Sequence, residues 1–130
     1  MTGYTWTIEV IAGKDLTPSD VTELADPYVV LYWSTGEEEK TETHRFSLNP
    51  NFGESFSSPE GENQRYAILE VWDKDTMTPD DFMGTVRIDL RNSDPDRRDE
   101  WLDLKDRSGG DAGGALHIGI NKHPVTVQRK

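Results

Sequence analysis

The chain has 130 residues, no cysteine and a formal net charge of −11. A chain of this length forms one domain with a hydrophobic core of its own, and the lack of cysteine excludes disulfides, thiolate metal sites and cysteine nucleophiles. The negative charge makes nucleic acid a poor partner. No apolar run approaches the roughly 20 residues that cross a bilayer, and the start lacks the pattern of a signal peptide. We therefore expect a soluble, cytoplasmic protein.

Short strands dominate the pattern of the chain. Residues 4–10 alternate, with Tyr4, Trp6, Ile8 and Val10 on one face, which is typical of a strand with one buried side. The continuously apolar run 27–33 predicts a strand buried on both faces. Six more runs, separated by turn residues, predict strands at 40–45, 52–56, 66–72, 82–90, 101–104 and 116–120.

Eight short strands without a helical period predict an all-β fold, an eight-stranded antiparallel β-sandwich. The Gly-rich segment 108–114 predicts a flexible loop before the last strand. We expect a single domain over residues 1–123, followed by a C-terminal tail over residues 124–130.

Two acidic loops stand out against this scaffold. Asp73, Asp75 and Asp81 lie in the segment 72–84, between two predicted strands. In the earlier loop Asp20 and Asp26 are six residues apart, the spacing that also separates Asp75 from Asp81. Matching loops indicate one shared site, and carboxylate oxygens from two loops are what Ca²⁺ requires, since it takes about 6–8 oxygen ligands.

Other interpretations of these loops are possible from the residues alone. Acidic loops are most often simply solvated. An EF-hand is excluded, because counting from Asp73 places Thr78 and Gly84 where the motif needs Gly and Glu. Carboxylates with a metal could also hydrolyse phosphate esters, but the sequence offers no positioned base, nucleophile or arginine clamp. We therefore do not expect an enzyme.

Three segments carry a resemblance to a known family. In order they are LTPSDVTELADPYV, SLNPNFGESF and EVWDKDTMTPDDFMG. Their order and spacing resemble the C2 domain, the second conserved region of protein kinase C. The late strand LHIGI resembles the strand that opens the chain in protein kinase C alpha-like members, which implies the permuted, phospholipase-C-like topology called type II.

The resemblance implies a calcium site that holds two or three Ca²⁺ ions between the two acidic loops. By motif position, the implied ligands are the carboxylates of Asp20, Asp26, Asp73, Asp75 and Asp81, the backbone carbonyls of Ser19 and Lys74, and the Thr78 hydroxyl at a third site. Asp80 adds a further acid that we leave outside the metal's ligands.

The implied function is calcium-dependent binding of anionic phospholipid membranes by a monomer that moves from the cytoplasm to the membrane surface. Val21, Leu24 and Met77 occupy expected loop tips, where they either pack between the loops or contact the membrane. The alternative function is a protein interaction module, regulated by calcium or independent of it.

One face departs from the family pattern. Some members grip phosphoinositide head groups with lysines on the second and third strands. Here Lys40 is present, but Glu42, Val30 and Tyr32 stand where basic residues are common. We therefore do not expect specific phosphoinositide capture.

Overall fold

The computed structural model describes residues 2–18, 25–60, 63–91 and 98–126. Within these ranges the secondary structure is all β, and every strand pairing is antiparallel. The eight strands are β1 (Thr2–Lys14), β2 (Pro27–Trp33), β3 (Glu38–Lys40), β4 (Asn51–Ser57), β5 (Tyr66–Asp73), β6 (Asp81–Asp89), β7 (Arg98–Lys105) and β8 (Asp111–Thr126). The predicted eight-stranded antiparallel fold is confirmed.

The strands follow the order β3-β2-β5-β6-β7-β8-β1-β4. Among the described residues β6 and β7 pair at a single position, Thr85 with Lys105. The sheet therefore divides there into two four-stranded layers that enclose the core, as in a sandwich. The type II topology stays a prediction.

Alternation along the strands builds the core. Ile8 and Val10 of β1 are fully buried, as are Leu69 and Val71 of β5 and Ile118 of β8. Because side chains alternate across a strand, each layer sends every second residue inward. Burial of these branched side chains is the main stabilising contribution in a chain that has no disulfide.

Two strand predictions near β2 need correction. The third strand covers Glu38–Lys40, whereas a strand at 40–45 was expected. The Thr41 hydroxyl accepts the backbone N–H of Val29 at 2.9 Å, so a side chain takes the place of a ladder carbonyl. The second face of β2 is also only partly covered, since Tyr28 and Tyr32 are half-buried.

β7 and β8 are both longer than the sequence pattern indicates. β8 begins at Asp111, so Gly113 and Gly114 belong to a strand and not to a flexible loop. It also runs on to Thr126, and Tyr4 pairs with Pro124. The expected boundary between residues 123 and 124 therefore falls inside this strand.

Candidate functional site at one end of the sandwich

Four connections lie at one end of the sandwich: the first acidic loop, described at 15–18 and 25–26, the segments 41–50 and 74–80, and the turn 106–110. Strand register brings them together, because Pro27 at the start of β2 pairs with Asp73 at the end of β5. Gly13 near the end of β1 donates its N–H to the carbonyl of Pro50, and Lys14 pairs with Ala115 of β8. We call this the loop end of the molecule.

The predicted aspartates Asp26, Asp73 and Asp81 lie side by side at the loop end. Asp73 and Asp81 are partners in the pairing of β5 with β6. The backbone N–H of Asp26 donates to Asp73 Oδ1 at 2.9 Å, and the N–H of Lys74 donates to the carbonyl of Asp26 at 2.9 Å. The described end of the first acidic loop is thus hydrogen-bonded to the second, while the shared calcium site stays a prediction.

The electrostatics of the loop end centre on Asp73. Burial raises the pKa of its carboxyl above the ordinary value, and repulsion from nearby carboxylates raises it further. One backbone N–H, from Asp26, acts in the opposite direction. The repelling neighbours are Asp26, Asp81 and Asp75. A half-buried carboxylate with three like-charged neighbours is an unfavourable arrangement that a bound cation would relieve.

Asp75 is turned toward its own loop. Its Oδ1 accepts the backbone N–H groups of Met77 at 3.0 Å and Thr78 at 3.3 Å. A hydrogen bond from the Thr78 side chain, followed by these backbone donors, lowers the pKa of the Asp75 carboxyl. This carboxylate therefore helps to shape the loop 74–80.

Asp80 contacts both β2 and its own loop. It accepts the Tyr28 hydroxyl at 2.5 Å and the backbone N–H of Asp75 at 3.0 Å, while Lys74 Nζ lies 3.8 Å away. The backbone donor and the Tyr28 hydroxyl lower the pKa of the Asp80 carboxyl. Burial, and then Asp80, raise the pKa of Tyr28. That Asp80 lies outside the metal's ligands stays a prediction.

The face of β2 and β3 holds a groove of about 380 Å³, where basic residues would be needed to grip a phosphoinositide. Lys40 is the one cationic side chain among the described residues that line it, and the carboxylates of Glu38 and Asp80 lie beside it. The remaining lining is aromatic or apolar: Tyr28, Val30, Tyr32, Trp72 and Pro79. Its charge balance is unfavourable for a polyanionic head group.

No three acidic or histidine side chains in the described parts of the chain converge closely enough to hold a metal ion. The predicted ligands Asp20 and Ser19 and the expected tip residues Val21 and Leu24 lie outside the described residues. The loop end as described thus supplies Asp26, Asp73, Asp75 and Asp81, together with the loop that carries Thr78.

The third expected tip residue, Met77, is 89% exposed. It therefore does not pack between the loops in the described structure. Its contact with a membrane stays a prediction.

Two residues at the loop end were missed by sequence reasoning. Phe46 is 70% exposed, and its backbone N–H donates to Asp26 Oδ1 at 2.8 Å. The guanidinium of Arg107 lies 4.1 Å from the ring centroid of Phe82 and 5.7 Å from that of Trp72. Phe46 could have been noticed as the one apolar residue in the polar segment 40–47. Nothing in the local sequence marks Arg107.

The family is established by comparison with known proteins. A family profile described as the C2 domain matches residues 4–104. The chain belongs to the C2 domain family. Membership supports a membrane-binding module in general terms, and domains of this family are binding modules that do not themselves catalyse reactions.

Two relatives show how the chain compares with longer proteins. Synaptotagmin-1 of Aplysia californica is 35% identical over 104 residues, which cover 75% of this chain and 24% of that protein. The Rho GTPase-activating protein gacEE of Dictyostelium discoideum is 32% identical over 104 residues, 78% of this chain and 18% of that protein. The chain therefore spans less than a quarter of the length of these relatives.

Solved structures confirm the architecture. A C2 domain of plant Extended Synaptotagmin 1 superposes with a TM-score of 0.80 at 21% identity, covering 95% of this chain and 96% of that one. Human GIVD cytosolic phospholipase A2 gives 0.79 at 24% identity, covering 95% of this chain but 16% of that chain. In that enzyme the similar region is one part of a longer chain. The part of this chain that the structure describes contains no helix that could cross a bilayer.

Proposed function

We propose that this chain is a calcium-dependent module that binds anionic phospholipid membranes. The observation that carries the proposal is the meeting of Asp26, Asp73 and Asp81 at the loop end, where burial and like charge raise the pKa of Asp73. Carboxylate oxygens are the donors that a hard cation with flexible coordination geometry prefers, and these three residues supply them from both acidic loops.

The proposed ligand set combines the two acidic loops. The carboxylates of Asp20, Asp26, Asp73, Asp75 and Asp81 would hold two or three Ca²⁺, with the carbonyls of Ser19 and Lys74 and the Thr78 hydroxyl for a third ion. The described residues bring no three of these acids into a metal-holding cluster, so the proposal requires Asp20, which lies outside the described residues, to complete the ligand set. We expect weak intrinsic affinity, on the order of 10⁻⁵–10⁻³ M, that tightens when lipid is present.

Charge explains why calcium would control membrane binding. At a net charge of −11 the chain is repelled by an anionic surface. Calcium supplies positive charge at the loop end and open coordination positions for lipid phosphate or carboxylate oxygens. The acidic loops hold that charge at the tip of a rigid sandwich. The chain would therefore move from the cytoplasm to a membrane surface when calcium rises.

The test is sedimentation with phosphatidylserine-containing vesicles, in Ca²⁺ and in chelator, with neutral vesicles for comparison. We expect binding only to anionic vesicles and only in Ca²⁺. Asp26→Asn and Asp73→Asn should abolish it. Asp89→Asn is the matched control, because Asp89 pairs with Tyr66 at the opposite end of β5 and β6 and the substitution makes the same change in charge.

Two results would contradict the proposal. Equal binding in Ca²⁺ and in chelator would show that calcium does not control the interaction. Absence of binding to every vesicle would favour the alternative, a protein interaction module. Titration calorimetry with CaCl₂ in the absence of lipid would then distinguish a calcium-regulated module from one that is independent of calcium.

A further inference from the structure

Exposed apolar side chains are concentrated at the loop end. Four large hydrophobic residues are exposed in the described parts of the chain: Tyr4 at 43%, Phe46 at 70%, Met77 at 89% and Trp101 at 42%. The two most exposed, Phe46 and Met77, also lack the hydroxyl or indole N–H that suits tyrosine and tryptophan to water. Both lie in connections at the loop end, so this end carries the most strongly exposed large apolar side chains of the described residues.

Phe46 is held in this exposed position by a specific contact. Its backbone φ is 55°, in the left-handed region that bulky residues rarely adopt. Its N–H donates to Asp26 Oδ1 at 2.8 Å. On either side of it, His44 and Ser47 donate N–H groups to the carbonyls of Pro27 and Ala25, each at 2.9 Å. The connection 41–50 is therefore fastened to the end of the acidic loop, with the Phe46 ring left exposed.

The chemistry of this tip fits a bilayer better than a protein surface. A stable protein interface needs about 800 Å² of matching surface on each partner, whereas Phe46 and Met77 are separate side chains on separate loops. The interfacial zone of a bilayer accepts single aromatic rings, and cationic neighbours reach its phosphates. Arg45, the exposed neighbour of Phe46 in the chain, is such a cation.

We propose that Phe46 is a membrane anchor positioned by Asp26, and that the connection 41–50 enters the bilayer interface beside the Met77 loop. The proposal rests on the proposed function, because it names a further contact of the same lipid-binding end. It also gives Asp26 a second role. The same carboxylate that would hold calcium sets the backbone of the anchoring residue, so calcium binding and the presentation of the ring are linked.

Site-specific labelling tests the anchor directly. The chain has no cysteine, so Phe46→Cys carries a polarity-sensitive fluorophore at one known position. Tyr4→Cys is the control, because Tyr4 lies at the other end of β1, paired with Pro124. With phosphatidylserine vesicles and Ca²⁺, we expect a blue shift for the label at position 46 and no shift at position 4.

A second variant measures how much the ring contributes. Phe46→Asn removes the ring, while asparagine tolerates the left-handed backbone and keeps the N–H bond to Asp26. Its vesicle affinity should fall about tenfold or more. Its Ca²⁺ affinity without lipid, measured by calorimetry, should stay within about twofold of the wild-type value. That change is clearly smaller than the roughly tenfold loss of vesicle affinity expected from one side chain that is no longer buried. Tyr4→Asn should bind vesicles as the wild type does.

Three outcomes would overturn the inference. If the wild type binds vesicles but the label at position 46 stays in water and Phe46→Asn binds normally, Phe46 is no anchor and the proposed function stands. If Phe46→Asn loses lipid-free Ca²⁺ affinity in parallel with vesicle affinity, the residue acts through the calcium site and not through the bilayer. If the wild type binds no vesicle, the inference and the proposed function fail together.

Discussion

A methyl group added at Gly114 should disturb the loop end, because it would clash with backbone atoms of the neighbouring segment. Gly114 has φ +83°, and a Cβ atom there would lie 2.8 Å from the carbonyl oxygen of Asp15. It would also lie 2.9 Å from the carbonyl oxygen of Lys14 and 3.0 Å from the Cα of Leu16. All three are backbone atoms where β1 passes into the acidic loop. Gly114→Ala therefore requires either β8 or this loop to shift.

The size of the effect follows from three contributions. The left-handed backbone costs alanine roughly 1–2 kcal/mol, and overpacking against backbone adds about 1–3 kcal/mol. The more restricted unfolded chain offsets about 0.4–1 kcal/mol. Gly114→Ala should therefore lower the free energy of unfolding by about 1–5 kcal/mol. For a chain of this length that corresponds to a fall in Tm of roughly 4–20 °C.

Gly109 provides the matched control. It has φ +90°, but a Cβ atom there would meet nothing within 4 Å, so Gly109→Ala carries the backbone cost without the close approach. Thermal unfolding followed by circular dichroism should show the larger loss for Gly114→Ala. Calcium titration should show weaker binding for that variant alone. Equal destabilisation by the two substitutions would refute the close packing of β8 against the loop.

Three further predictions concern charge, hydrogen bonding and membrane contact. Asp73→Asn should stabilise the protein in chelator at pH 7, because it removes a charge that burial and neighbouring carboxylates make unfavourable. The gain in free energy of unfolding should be less than about 1 kcal/mol, because solvent partly screens the site, and it should appear as a higher Tm. Since the pKa of Asp73 is raised, this advantage should vanish as the pH falls and the wild-type carboxyl becomes protonated; an advantage that persists in acid would contradict the assignment. Thr41→Val should lower the free energy of unfolding, measured by urea denaturation, by about 1–3 kcal/mol, because the Val29 N–H loses its acceptor. Thr41→Ser keeps the hydroxyl and should retain most of the wild-type stability. Met77→Asp should weaken vesicle sedimentation and leave calorimetric Ca²⁺ binding intact, whereas unchanged sedimentation would exclude Met77 from the membrane contact.

Patterns local in the sequence were enough for most of the fold. The alternation through Trp6, Ile8 and Val10 predicted β1, because a strand that buries one face needs every second residue to be apolar. The same rule predicted β5 and β6. Since these two strands are antiparallel neighbours, Asp73 and Asp81 at the ends of their connection had to meet.

Contacts between distant segments decided the rest. The third strand is displaced because the Thr41 hydroxyl bonds to β2, and no propensity reveals such a bond. Gly113 and Gly114 look like a flexible loop, yet β8 includes them because they pack against residues 14–17. Only the register of two strands that are a hundred residues apart in the chain creates this contact.

The amino-acid sequence by itself determined the all-β class, the family and the acidic residues at the loop end, because each of these follows from residue type and spacing. The tertiary structure alone decided which hydrogen bonds those carboxylates make. It turned Asp75 onto its own loop, directed Asp80 toward Tyr28 and joined Asp26 to Phe46 across twenty residues of chain. A hydrogen bond depends on where two folded segments meet, and that position is set by the packing of the whole sandwich.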